Sequence, residues 1–177
     1  TNLEMTAAYA TIANQGTYTR PVFYSQVIDS NGRVLLDNTT PTTHTVLKAS
    51  TASLLTQGMT SVITEGTGTS AKLDGKMPVS GKTGTTSSEY DLWFCGYTPY
   101  LTASIWTGYD ENVSLSGDQA YHERLWAKIM NQIDSVKKYK AKSFKMSKDV
   151  KKYDICSSSG KVAIKGVCPT SKSEYFA

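Results

Sequence analysis

The chain has 177 residues, of which 39% are hydrophobic and 19% charged, enough apolar content for one globular domain with a core and too much for a disordered chain. Its net charge of +4 is unevenly divided, because residues 1–135 carry 8 basic and 12 acidic side chains whereas residues 136–177 carry 11 and 3. No apolar run approaches the roughly 20 residues that span a bilayer, and the opening Thr1 reads as the start of a partial or processed chain.

In chain order, Leu3, Ala7, Ala8, Ala10, Thr11, Ile12 and Ala13 fit a buried, Ala-rich helix that Gly16 ends. Val22 to Asp29 and Arg33 to Asp37 are β-prone runs joined by Ser30-Asn31-Gly32, a hairpin signal. Pro41 to Val46 is a Thr-rich connector containing His44. From Ser50, the positions Leu54, Leu55, Met59, Val62 and Ile63 predict a helix buried on that face and ending near Gly66. A glycine-containing loop then leads to Pro78 through Thr86, read as a strand, and two more strands follow over Leu92 to Tyr97 and Leu101 to Tyr109. The short connection Thr98-Pro99-Tyr100 makes the last pair antiparallel, so the three form a meander.

Residues 119–136 place Tyr121, Leu125, Ile129 and Ile133 at intervals of four, widened by Trp126 and Met130, which predicts a helix packed on the sheet. The expected organisation is an α+β domain over 1–136, a Lys-rich linker over 137–153 and a small cysteine-bracketed extension over 154–177. Within the extension, residues 160–166 read as a short strand between turns. Cys95 lies in an apolar run and reads as a core thiol, while Cys156 and Cys168 are candidates for a disulfide. No CxxC pair or adjacent His supports a metal site, and no cofactor is called for. The tail's cations are all Lys with no Arg, a pattern that argues against nucleic acid and fits either solvated lysines or a polyanion partner.

The stretch that carries chemistry is Ser80-Gly81-Lys82-Thr83-Gly84-Thr85-Thr86. Lys82 offers positive potential, Thr83 and Thr85 offer neutral donors, and Gly84 lets a peptide lie close to the strand, a set suited to holding a carboxylate. Lys82-Thr83-Gly84 resembles the K-T-G motif of penicillin-binding proteins and serine β-lactamases, where it meets S-x-x-K and S-x-N in one cleft. The flanking runs Met5 to Ala10, Asn14 to Tyr18, Trp93 to Pro99 and Trp106 to Asp110 resemble the bifunctional class A penicillin-binding proteins over about residues 1–135.

That resemblance implies an incomplete transpeptidase fold: an antiparallel sheet packed by helices, with a hairpin and a small tail unit. It implies that Lys82, Thr83, Gly84 and Thr85 belong to the catalytic cleft. Lys82 would organise the S-x-N serine, Thr83 and Thr85 would bind the substrate carboxylate, and the Thr85 N–H would complete an oxyanion hole. The substrates it implies are peptidoglycan stem peptides and β-lactam antibiotics, on the extracytoplasmic face of a bacterial membrane. Nothing before Lys82 spells S-x-x-K and no S-x-N occurs, so the nucleophile is expected from an upstream half in the same or a second chain. Ser135 to Lys138 and Ser158 to Lys161 match S-x-x-K by spelling only, since both follow the K-T-G strand. The alternatives are a carboxypeptidase or β-lactamase-like hydrolase, and a non-catalytic module that uses its basic tail to hold wall polymer.

Overall fold

The computed structural model describes residues 1–177 and has three helices and four small antiparallel sheets. Helix α1 (Asn2–Ala13) starts at Thr1, whose side chain accepts from the Glu4 N–H while the Glu4 carboxylate reaches back to the Thr1 amine. It stops at Gln15 and Gly16, both with positive φ. Gly16 is obligatory for a second reason: a Cβ there would sit 2.2 Å from the Leu47 carbonyl oxygen. Strand β1 (Thr17–Thr19) then pairs with β4 (Thr43–Thr45), flanking the hairpin of β2 (Gln26–Ile28) and β3 (Val34–Asp37). The hairpin turn is a three-residue loop in which Asp29 N–H donates to Arg33 O and only Gly32 needs the left-handed region.

The expected three-strand meander is present as β5 (Ser80–Thr85), β6 (Asp91–Tyr97) and β7 (Thr102–Gly108), in that spatial order. Helix α3 (Tyr121–Lys137) covers one face, seating Trp126 and Met130 against Phe94 and Val79. Phe94 and Trp126 meet edge to face at 5.1 Å, and the Trp126 indole N–H donates to Ala103 O at 3.0 Å. Gly81 and Gly96 make room for this pair, because a Cβ at either would fall within 2.7 Å of the Phe94 ring. Helix α2 (Ala49–Thr64) lies against β5, and α1 lies against β6 and β7. None of the helices is long and apolar enough to cross a membrane.

Four expectations about local structure need correction. In α3 the expected Trp126 and Met130 are buried, but together with His122 rather than with Tyr121 and Ile129, which are exposed, because the largest ring follows the gap left by Gly96. In α2 the inward face is Ala52, Ser53, Thr56 and Ile63, and Leu55 is exposed, because hydroxyls on this face bond to the sheet. In α1 only Thr11 is buried and Leu3 and Met5 are exposed, since the helix meets the sheet chiefly through its C-terminal half.

The fourth correction concerns residues 160–166, which form turns with positive φ at Gly160 and Gly166 and make only an isolated bridge between Val162 and Ile155. The tail sheet instead pairs β8 (Lys151–Cys156) with β9 (Ser171–Phe176), and Tyr153 packs against Phe176. Residues 138–150 carry no regular element but are tied to the body, with Phe144 against Tyr97 and Ser147 N–H donating to Ser53 Oγ at 2.9 Å.

Candidate functional site

Lys82, Thr83, Gly84 and Thr85 share strand β5, an outer strand of its sheet. Its register with β6 places Lys82 opposite Cys95, Thr83 opposite Phe94, Gly84 opposite Trp93 and Thr85 opposite Leu92. Side chains alternate along the strand, so Thr83 and Thr85 share the face of Phe94 and Leu92, and Lys82 and Gly84 share the face of Cys95 and Trp93. Backbone groups alternate too. Thr86 N–H donates to Asp91 O across the ladder, so the next residue back, Thr85, directs its N–H away from β6. Lys82 and Thr85 are both exposed, and the strand offers solvent an ammonium, two hydroxyls and an outward N–H.

Polar contacts draw the two faces together at this edge. Lys82 Nζ donates to the Thr83 carbonyl at 3.1 Å and to Thr83 Oγ1 at 3.3 Å. Thr83 Oγ1 in turn bonds to Thr67 Oγ1 at 2.8 Å, from the loop that follows α2. Gly84 has little room on its own face, since a Cβ would lie 3.2 Å from Trp93 Cβ. A cavity of about 490 Å³ lies at the Thr85 end of the sheet but toward β7, lined by Leu92, Thr107, Tyr109, Leu115 and Tyr121 among others. None of residues 82–85 lines it, so the strand is an open wall rather than part of that cavity.

Behind the wall runs a buried chain of hydroxyls that sequence reasoning missed. Ser80 Oγ donates to Thr56 O at 2.9 Å and pairs with Thr60 Oγ1 at 2.6 Å, and Thr56 Oγ1 pairs with Tyr97 Oη at 2.8 Å. These bonds fix the start of β5 to α2. Burial pushes the Tyr97 phenol up to about 12, with the Thr56 and Ser80 hydrogen bonds pulling the other way. The signal in the sequence was Thr56 and Thr60, hydroxyls four residues apart on one helical face and aligned with Ser80.

The remaining candidates lie elsewhere. His44 sits on β4 beside the Tyr18 ring, and His122 is buried in α3, where desolvation pulls its pKa down. Ser135 donates to Gln132 O on the surface of α3. Cys95 is buried and its thiol pushed up by desolvation. In the tail, Cys156 and Cys168 are unbonded thiols in contact; the hydrogen bond from Cys168, aided by Ser159, holds Cys156 at about 7 while Cys168 is raised.

Comparison with known proteins places this wall in context. The penicillin binding protein transpeptidase domain family matches residues 1–133. Penicillin-binding protein 1A of Clostridium acetobutylicum is 40% identical over 126 residues, covering 71% of this chain and 16% of that protein. Penicillin-binding protein PonA1 of Mycobacterium tuberculosis superposes with a TM-score of 0.67 at 31% identity, over 81% of this chain and 40% of that one. Penicillin-binding protein 1A of Haemophilus influenzae shares the fold over 99% of this chain and 32% of its own, with a TM-score of 0.78 at 20% identity. The chain thus spans about a sixth of the curated relative's length.

Proposed function

This chain belongs to the penicillin-binding protein transpeptidase family, and we propose that its K-T-G strand is the carboxylate-binding and oxyanion-hole wall of a serine DD-transpeptidase cleft. The observation that carries the reading is the outward N–H of Thr85, beside the Lys82 ammonium and the Thr83 hydroxyl on one exposed edge. Thr83 and Thr85 hold the terminal carboxylate of a peptidoglycan stem peptide or a β-lactam. The Thr85 N–H then receives the developing oxyanion, a donor whose loss typically costs about 3 kcal/mol in the transition state.

The nucleophilic serine comes from sequence outside residues 1–177, packed against this wall as an upstream half of the same domain. It attacks the penultimate D-Ala carbonyl, and an amine from a neighbouring stem resolves the acyl-enzyme. The protein works on the extracytoplasmic face of the bacterial membrane, and residues 1–177 alone do not turn over. In that oxidising setting Cys156 and Cys168 join as a disulfide, passing two electrons and two protons to a disulfide-class oxidant.

The test is labelling by fluorescent penicillin. A longer chain that supplies S-x-x-K and S-x-N ahead of residues 1–177 is labelled, and Lys82→Ala abolishes labelling. Labelling that survives Lys82→Ala unchanged would remove Lys82 from the mechanism.

A further inference from the structure

Residues 137–152 hold eight lysines and one acid, and every one of those lysines is exposed. None is in an ion pair: the salt bridges join Thr1 to Glu4, Arg124 to Asp118 and Lys172 to Glu174. Uncompensated lysines on a free tail would be unremarkable solvated charge. Here, however, the segment is held down by the residues between the lysines.

Tyr139 stacks on Tyr100 with ring centres 4.4 Å apart, and Tyr100 Oη donates to Lys140 O at 2.8 Å. Gln15 Nε2 donates to Lys145 O at 2.9 Å, and Gln57 Nε2 lies 3.2 Å from Met146 Sδ. Phe144 packs on Tyr97 and Ser147 is tied to the buried Ser53. The segment is thus already ordered by contacts of which only Lys142 over Tyr100 and Lys152 over Tyr175 use an ammonium group. A ligand meeting these lysines loses less conformational entropy than it would on a free tail.

We propose that residues 137–152 form a binding strap for a flexible polyanion of repeating phosphodiesters without bases. Lysine is a point charge that lacks the planar fork of arginine, so this surface reads charge density rather than the shape of a single group. With a lysine on average every second residue, the chain offers at most about 7 Å of length per charge, a spacing suited to phosphates linked by short alcohols. Bases find no platform here, because the strap's own rings, Tyr139 and Phe144, are engaged with Tyr100 and Tyr97, and Lys142 lies 3.8 Å over the Tyr100 ring. The strap depends on none of the roles assigned to Lys82, Thr83 or Thr85.

The experiment titrates the full chain against fluorescently labelled poly(glycerol phosphate) at several salt concentrations. Binding is expected, with log K falling against log salt at a slope near −3 for roughly four phosphate contacts. Changing Lys140, Lys145, Lys148 and Lys151 together to Gln should weaken binding at least tenfold, while the same four changed to Arg should retain it. Lys142 is left intact in both because it contributes to the Tyr100 anchor. The proposal is overturned by an absence of binding at low salt, by a flat salt response, or by equal binding of the Gln variant. It is likewise overturned if the Arg variant, melting as the parent does, loses binding, or if single-stranded DNA of equal phosphate number or vesicles of anionic lipid bind more tightly.

Discussion

Strands β6 and β7 of the K-T-G sheet and the β2–β3 hairpin are built from similar material, apolar β-prone runs in antiparallel register, and they end in opposite states. In the sheet, Leu92, Phe94 and Tyr97 are almost completely buried, because α3 closes one face and α1 and α2 pack on the sheet as well. In the hairpin every strand residue is exposed, including Val27, Ile28, Leu35 and Leu36, and the neighbouring Phe23 is 83% exposed. Strand-forming sequence is therefore not what stabilises a strand; covered faces are. A lone two-stranded hairpin buries too little to stand by itself.

The contrast is sharpest at Phe94. Phe94→Ala should lower the unfolding free energy of the chain by about 3–5 kcal/mol in urea denaturation, since it empties the space between Gly81, Gly96 and Trp126. A loss below about 1 kcal/mol would mean that the sheet is not the stability centre.

Next in size is the contrast between body and tail thiols. Under non-reducing conditions the tail should contain the Cys156–Cys168 disulfide, and its loop contributes roughly 3 kcal/mol in the chain-entropy model. Cys95, buried and raised in pKa, should stay unreactive to a thiol reagent until the chain unfolds. Two free tail thiols by mass spectrometry would end the disulfide proposal.

The hydroxyl chain behind β5 makes a prediction about pH. Unfolded Tyr97 ionises near its ordinary value of 10, whereas the folded phenol waits until about 12. The folded state thus holds this proton more tightly, so the contribution is complete below about pH 10 and is lost as pH rises through 12. Two pH units correspond to about 2–3 kcal/mol. Thermal melts should show this alkaline decline, and Tyr97→Phe should flatten it. The smallest effect belongs to the hairpin: Leu35→Ala should change stability by no more than about 0.5 kcal/mol, and a larger loss would show that its exposed face is covered in solution.

Much of the fold was legible from local pattern. The meander followed from three successive β-prone runs, the last two joined by Thr98-Pro99-Tyr100, and the Asn31-Gly32 turn marked the hairpin. Helix positions were legible and their buried faces only in part: Trp126, Met130 and Ile63 are buried as expected, whereas Ala52, Ser53, Thr56 and His122 were not foreseen. Periodicity counts large apolar side chains, whereas Thr56 faces inward for its hydroxyl bonds and Trp126 for the space that Gly96 leaves. The β1–β4 pair and the tail sheet were not legible, because each joins short polar runs distant in sequence.

The sequence by itself determined the family and the candidate site: Lys82, Thr83, Gly84 and Thr85 stand together within Ser80–Thr86, and the family model covers them and their flanks. Tertiary structure decided how they are presented. The direction of the Thr85 N–H depends on the β5–β6 register, and the holds on Thr83 and Ser80 come from Thr67, Thr56 and Thr60. The same holds for the strap, whose charge is plain in the sequence but whose outward display depends on Tyr100, Tyr97 and Ser53. Side-chain identity is local information, whereas backbone direction and hydrogen-bond partners are set by contacts between segments far apart in the chain.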